Sequence, residues 1–186
     1  MYHPEIIERR KAAALRQPHI AAVYPTGVIP DYSVADAQAL TAEILQNVNP
    51  DDPSRMLRPL TSEESTFMGV ASVRVQYDAP WFLECFVWID EEGHGVRPLY
   101  PLWESQRFVL QRLADLEYKH IEEDAIDGLL VNVLKARQLG VSTLAQALVA
   151  QRIYTLPYIR AIAGSDVEDQ ATYLFKMNER IYEQLP

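Results

Sequence analysis

The sequence predicts an α/β chain, with part of a parallel sheet and flanking helices following a mostly helical N-terminal region. Three observations lead there. The apolar run Leu129-Leu130-Val131-Asn132-Val133-Leu134 reads as a buried strand. Lys135 to Thr143 follows as a tight loop with one glycine, Gly140, and a hydroxyl pair, Ser142-Thr143. A long apolar run from Leu144 to Ile153 then reads as a helix. Strand, glycine loop, hydroxyl pair and helix is the layout of a phosphate-binding loop, where backbone N–H groups and the positive helix end face an anion.

Composition sets the bounds. The 186 residues suffice for one full domain with a sizeable core, and 48% apolar content argues against wholesale disorder. The net charge of −9, from 17 basic and 26 acidic residues, is a poor match to a principal DNA-gripping surface. One cysteine, Cys85, excludes an internal disulfide and points to a reducing compartment. No apolar run approaches the ~20 residues of a membrane span. The N-terminus is not a signal peptide.

Residues 1–60 read as a helical accessory region. Pro4 opens a helix over Glu5 to Arg16, and its Arg9-Arg10-Lys11 is the densest basic patch in the chain. That patch reads as a solvated helix face rather than a nucleic-acid contact. A loop with Pro25, Gly27 and Pro30 follows. Ser33 caps a helix from Val34 to about Val48, with Ala37, Leu40, Ile44 and Val48 at helical spacing. Asn49 to Pro53 ends it.

Residues 61–186 form the second region. Thr61-Ser62-Glu63-Glu64 starts a short helix through Met68. Val70 to Tyr77 alternates apolar and polar residues, as a strand or an extended connector does. Trp81 to Ile89, rich in aromatic and β-branched residues, reads as a strand or a strongly buried segment. Asp90 to Gly95 is a turn. Val96 to Trp103 leads into a helix opened by Glu104-Ser105-Gln106, with Val109, Leu113 and Leu116 on one face. The carboxylates from Asp115 to Asp127 read as a solvated helix end, without calcium-loop spacing. His3, His19, His94 and His120 are scattered and form no ligand pattern. After the glycine loop, Ser142 to about Tyr154 is apolar nearly all round, hence a buried helix. Ile159 to Ala163 reads as a second strand, and Val167 to Leu185 as a last helix with Ala171, Leu174, Phe175, Ile181 and Leu185 on its apolar face. The order β-α-β-α implies a right-handed parallel crossover.

Against the signature G-x-x-x-x-G-K-[ST], Ala136 takes the first glycine's place and Gly140 the second's. Val141 stands where the lysine belongs, and Ser142 is in register for a Mg²⁺-binding hydroxyl. Lys135 and Arg137 are the nearby cations, and either reaches back toward the β- and γ-phosphates. An ordinary strand-to-helix turn with a serine cap is the plainer alternative.

The string K-A-R-Q-L-G-V-S-T resembles the deviant Walker A motif of the large terminase subunits of tailed bacteriophages, the ATPases that package viral DNA. Lys135, Arg137, Gln138, Gly140, Ser142 and Thr143 fit that pattern. Upstream, an aromatic stretch ending in Ile89-Asp90, a proline-containing loop and Gln106 at a helix start resemble the same family's adenine motif, about residues 98–106. Downstream, A-G-S-D-V-E-D-Q-A-T-Y-L-F resembles the segment after its Walker A helix.

The resemblance implies a partial P-loop NTPase (ASCE/RecA-like) sheet, with ATP and Mg²⁺ as cofactors and a Walker A loop over 135–143. It places Lys135 on the β- and γ-phosphates, Arg137 on the γ-phosphate as a catalytic arginine, and Ser142, with Thr143 second, on Mg²⁺. Ala136, Gln138, Leu139, Gly140 and Val141 complete the loop. Gln106 would read the adenine edge, since an amide offers one donor and one acceptor side. Tyr100 or Trp103 would stack on the ring. The implied parent couples ATP hydrolysis to moving double-stranded DNA into procapsids in the host cytoplasm. Its partners are DNA, a portal protein and a small terminase subunit, with no membrane, and its oligomer exists only in the assembled motor. Walker B and nuclease motifs are expected beyond Pro186, so the chain by itself is expected to hydrolyse ATP negligibly. Another motor ATPase or helicase, or a non-catalytic interaction piece, is the alternative.

Overall fold

A computed structural model of the chain describes residues 4–91, 95–123, 131–134, 140–155, 158–165, 167–183 and 185. In chain order the elements are α1 (Pro4–Leu15), α2 (Pro18–Val23), α3 (Val34–Gln46), β1 (Val48–Asn49), β2 (Asp52–Met56), α4 (Ser62–Tyr77), α5 (Ala79–Phe86), β3 (Trp88–Glu91), β4 (Gly95–Pro98), α6 (Glu104–Glu122), α7 (Val141–Thr155) and α8 (Glu168–Glu183).

Helix starts follow their caps. Ser33 Oγ accepts the Asp36 N–H at 3.1 Å and opens α3. Thr61 and Glu64 form a reciprocal capping box at the start of α4, with Glu64 N–H on Thr61 Oγ1 at 3.1 Å and Thr61 N–H on Glu64 Oε2 at 2.6 Å. Glu64 also takes Arg58 through both carboxylate oxygens, at 2.8 and 2.6 Å. Those bonds, Arg58's first and Thr61's next, pull the Glu64 carboxyl down to about 2.

The capping box settles the ambiguous stretch after it. Val70 to Tyr77 is neither strand nor connector but the second half of α4. Phe67, Val70, Ala71, Val73 and Tyr77 are buried from it, at spacings of three and four that suit a helix. Asp78 then ends α4 and begins α5, its Oδ1 accepting the Trp81 N–H at 3.1 Å, with Pro80 in the first turn. The apolar run from Trp81 is therefore helical through Phe86, and β3 begins only at Trp88. Contiguous apolar residues do not distinguish a buried helix from a buried strand; here the cap and the proline decide.

The core is helical. Phe67 and Phe82 flank Phe86, with ring centroids 6.4 and 6.0 Å from it, and Trp81 meets Phe86 edge-on at 5.3 Å. Residues of α3, α4, α5, α6, α7 and α8 join this cluster. Fully burying one such ring is worth about 1.5–3 kcal/mol. A second, smaller cluster of Ala14, Ile20, Val73 and Tyr77 holds α1 and α2 on the other side of α4.

The predicted α/β fold, a parallel P-loop-type sheet with flanking helices, is not what forms. The chain is mostly helical, and the described strands make two separate two-stranded antiparallel sheets, β1 with β2 and β3 with β4. Leu129 and Leu130 lie outside the described residues. Among the described residues, 131–134, the rest of that predicted strand, have no strand partner, and Leu134 is fully exposed. Residues 159–163, the predicted second strand, likewise have no strand partner among the described residues, with Ile162 fully exposed. A strand needs a neighbouring strand for its N–H and C=O groups. Here the apolar faces of the helices occupy the core that a sheet would have filled.

Three faces also shift. The α3 helix stops at Gln46, and Val48 joins β1. On α6 the buried positions are Gln106, Leu110 and Ala114, while Leu116 is exposed. On α8 only Ile181 is fully buried, and Phe175 faces outward. Among the described residues no helix is long and apolar enough to cross a membrane.

Candidate functional site

Gln106 is the third residue of α6, where a Glu or Gln side chain can reach back to the residue before the helix. Its Oε1 accepts the Trp103 N–H at 2.9 Å. Its Nε2 donates to the Gly140 carbonyl at 3.3 Å, across 34 positions of chain. The amide is thus held at both ends, and the residue is only 1% exposed.

Gly140 stands immediately before α7. Its carbonyl also accepts the Leu144 N–H at 3.0 Å, the first bond of the helix. Its φ is +65°, in the left-handed region that favours glycine. A Cβ there would lie 2.6 Å from Gln106 Nε2 and 3.3 Å from Trp103 Cε3. The glycine is required twice, by its backbone conformation and by the close approach of the α6 start.

Val141, Leu144, Ala147 and Ala150 anchor α7 in the core. Ser142 is exposed and Thr143 half-buried at the helix start, beside N–H groups that no earlier helical carbonyl can accept. Tyr100 and Trp103 are 45% and 43% exposed, so both rings are open to solvent. Lys135, Ala136, Arg137, Gln138 and Leu139 lie outside the described residues.

Of the predicted site, the described structure brings together Gln106, Trp103 and Gly140, with Val141, Ser142 and Thr143 beginning the adjoining helix. The amide of Gln106 is buried, however, and not turned outward to a ligand. Among the described residues, its Oε1 and its Nε2 each make one hydrogen bond of the two they can make.

Glu84 was not among the predicted residues, yet it braces the approach to α6. Its Oε1 accepts the Leu102 N–H at 3.3 Å and lies 3.7 Å from Arg107 Nη2. A lone carboxylate inside the apolar run Trp81 to Ile89 was the sequence signal for it.

The acidic end of α6 has a structural use. Glu117 pairs with Arg10, and Glu122 with Arg9, so the chain's densest basic patch meets its carboxylates. Arg9 also sits over the Tyr118 ring, 5.4 Å from its centroid. The patch on α1 is therefore not simply solvated. Among the described residues no group of three or more His, Cys, Asp or Glu is placed to hold a metal ion. No family model, curated protein or solved structure matches the chain.

Proposed function

We propose that the chain is the ATP-binding portion of a DNA-packaging motor of the large-terminase kind. The observation that supports this reading is the contact between Gln106 and Gly140. It puts the glutamine of the adenine-like motif against Gly140, the one glycine of K-A-R-Q-L-G-V-S-T, two strings that the sequence alone relates only by resemblance. The exposed Trp103 ring supplies a stacking surface beside Gln106, and Ser142 with the first N–H groups of α7 supplies an anion- and Mg²⁺-facing end. Lys135 and Arg137 bring the positive charge. Adenine is then read when Gln106 exchanges an internal hydrogen bond for one to the base. Double-stranded DNA, a portal protein and a small terminase subunit are the partners this function entails.

The buried Gln106 amide favours a second reading, a helical interaction module that binds no nucleotide. Titration with a fluorescent ATP analogue and Mg²⁺ separates the two. The first reading expects saturable binding by the intact chain, preference for ATP over GTP, and at least about ten-fold weaker binding by Lys135→Ala, about 1.4 kcal/mol. Equal binding by the two chains, or none by either, refutes it.

A further inference from the structure

We propose that the cleft bounded by α4, α5 and the end of α7 binds a small neutral aromatic molecule carrying a hydrogen-bond donor, as a phenol does. The site uses none of the residues assigned to nucleotide. Thr155, on its wall, ends α7 about 20 Å along the helix from Gly140.

The size and depth of the cleft suit one ring. It measures about 170 Å³ and opens to solvent on one side. An apolar cavity of about 150 Å³ is enough to take benzene. Its floor belongs to the main core, since Ala71, Phe82 and Phe86 are at most 4% exposed. Met68 and Val75 are half-buried on its sides. Ser72 and Tyr154 are exposed and stand at its mouth, where the Tyr154 ring meets that of Tyr182 at 5.7 Å. A close-packed interior leaves few spaces of this size. The three helices pack on one another pairwise around it, so the cleft is formed by rigid elements before any ligand arrives.

The walls select the kind of molecule. Phe82 and Phe86, with centroids 6.0 Å apart, offer ring contacts, and the Met68 thioether offers a polarizable one. Both favour an aromatic ring over an alkyl chain. No lining side chain is charged, so an ionised ligand would lose water without gaining a partner.

The hydroxyls set the polarity. Ser72 Oγ donates to the Gly69 carbonyl at 2.9 Å, and Thr155 Oγ1 donates to the Gln151 carbonyl at 2.6 Å. Each proton is committed within its own helix, so each oxygen has only lone pairs to offer a ligand. An O–H or N–H on the ring matches them.

The test is a fluorine NMR titration of the full chain with 4-fluorophenol. Fluorobenzene serves as the ring without a donor and 4-fluorobenzoate as the charged ring. The phenol should bind saturably, with a Kd at or below about 1 mM. It should bind about three- to ten-fold more tightly than fluorobenzene, the scale of one hydrogen bond. The benzoate should not bind. Ser72→Ala with Thr155→Val removes both acceptors. It should bring the phenol down to the level of fluorobenzene and leave fluorobenzene unchanged. Ala71→Leu fills the floor and should weaken both rings by at least about ten-fold, since little of the cavity remains. Circular dichroism verifies that each variant is folded, and the double variant changes no fully buried side chain. A phenol signal that rises without saturating overturns the proposal, as does benzoate binding equal to the phenol's. Equal binding of phenol and fluorobenzene by the parent overturns it too, as does a phenol preference that survives the double variant. Undiminished binding by a folded Ala71→Leu chain would place the ligand elsewhere and also overturn it.

Discussion

Replacing Gly140 by alanine tests the junction between α6 and α7 directly. Two costs add. An alanine at φ +65° carries about 1–2 kcal/mol of backbone strain. Its Cβ would also stand 2.6 Å from Gln106 Nε2, so the amide must move. That movement breaks the bond to Gly140 and loosens the one to Trp103, at about 1–2 kcal/mol for a buried polar group. The sum is about 2–4 kcal/mol. The two parts separate in a double-mutant cycle with Gln106→Ala. In that background the obstructing amide is gone, so Gly140→Ala should cost only the strain. A coupling of about 1–2 kcal/mol between the sites is expected. Urea denaturation followed by far-ultraviolet circular dichroism measures all four chains. Additive effects within about 0.5 kcal/mol would refute the close approach. A cost below about 1 kcal/mol for Gly140→Ala alone would refute the strained turn as well.

Two further outcomes concern the core. The depressed Glu64 carboxyl contributes stability that is fully present above its ordinary value near 4.5 and lost as pH falls toward about 2. Melting temperatures of the parent and Glu64→Gln should therefore converge between those two pH values, and curves that stay parallel through the window would contradict the Arg58 and Thr61 bonds. Burial pushes the Cys85 thiol well above its usual range and leaves it without solvent contact. A thiol reagent should modify it only at the rate of unfolding, and rapid labelling in the native buffer would show that α5 is not seated as described.

What was legible in the sequence was the punctuation of its helices. Ser33 and Thr61 are short hydroxyl side chains placed three residues before an acidic one, and both cap the helices they predict. The start of α6 at Glu104 was equally plain. The states of the apolar runs were not. Trp81 to Phe86 became a helix, and 131–134 and 159–163 became largely exposed chain with no strand partner among the described residues, because such runs specify burial or pairing only together with what lies opposite. The alternation in Val70 to Tyr77 yielded to the capping box upstream of it. Gln106 was marked by its place at a helix start, but the choice between ligand edge and internal brace depended on Gly140, a long way off in sequence. The pairing of Arg9 and Arg10 with Glu122 and Glu117 was hidden for the same reason. Each run is complete in itself, and only the fold makes them neighbours.

The two hydrophobic clusters on opposite sides of α4 also fix an order of assembly. The main cluster draws on α3, α4 and α5, which follow one another closely along the chain, so its first contacts close short loops. The ion pairs that tie α1 to α6 close loops of more than a hundred residues, and they gain little until both ends are already placed. The nucleus should therefore form around Phe67, Phe82 and Phe86, with α1 docking afterwards. Truncations of apolar side chains in α1 would then speed unfolding while leaving the folding rate nearly unchanged.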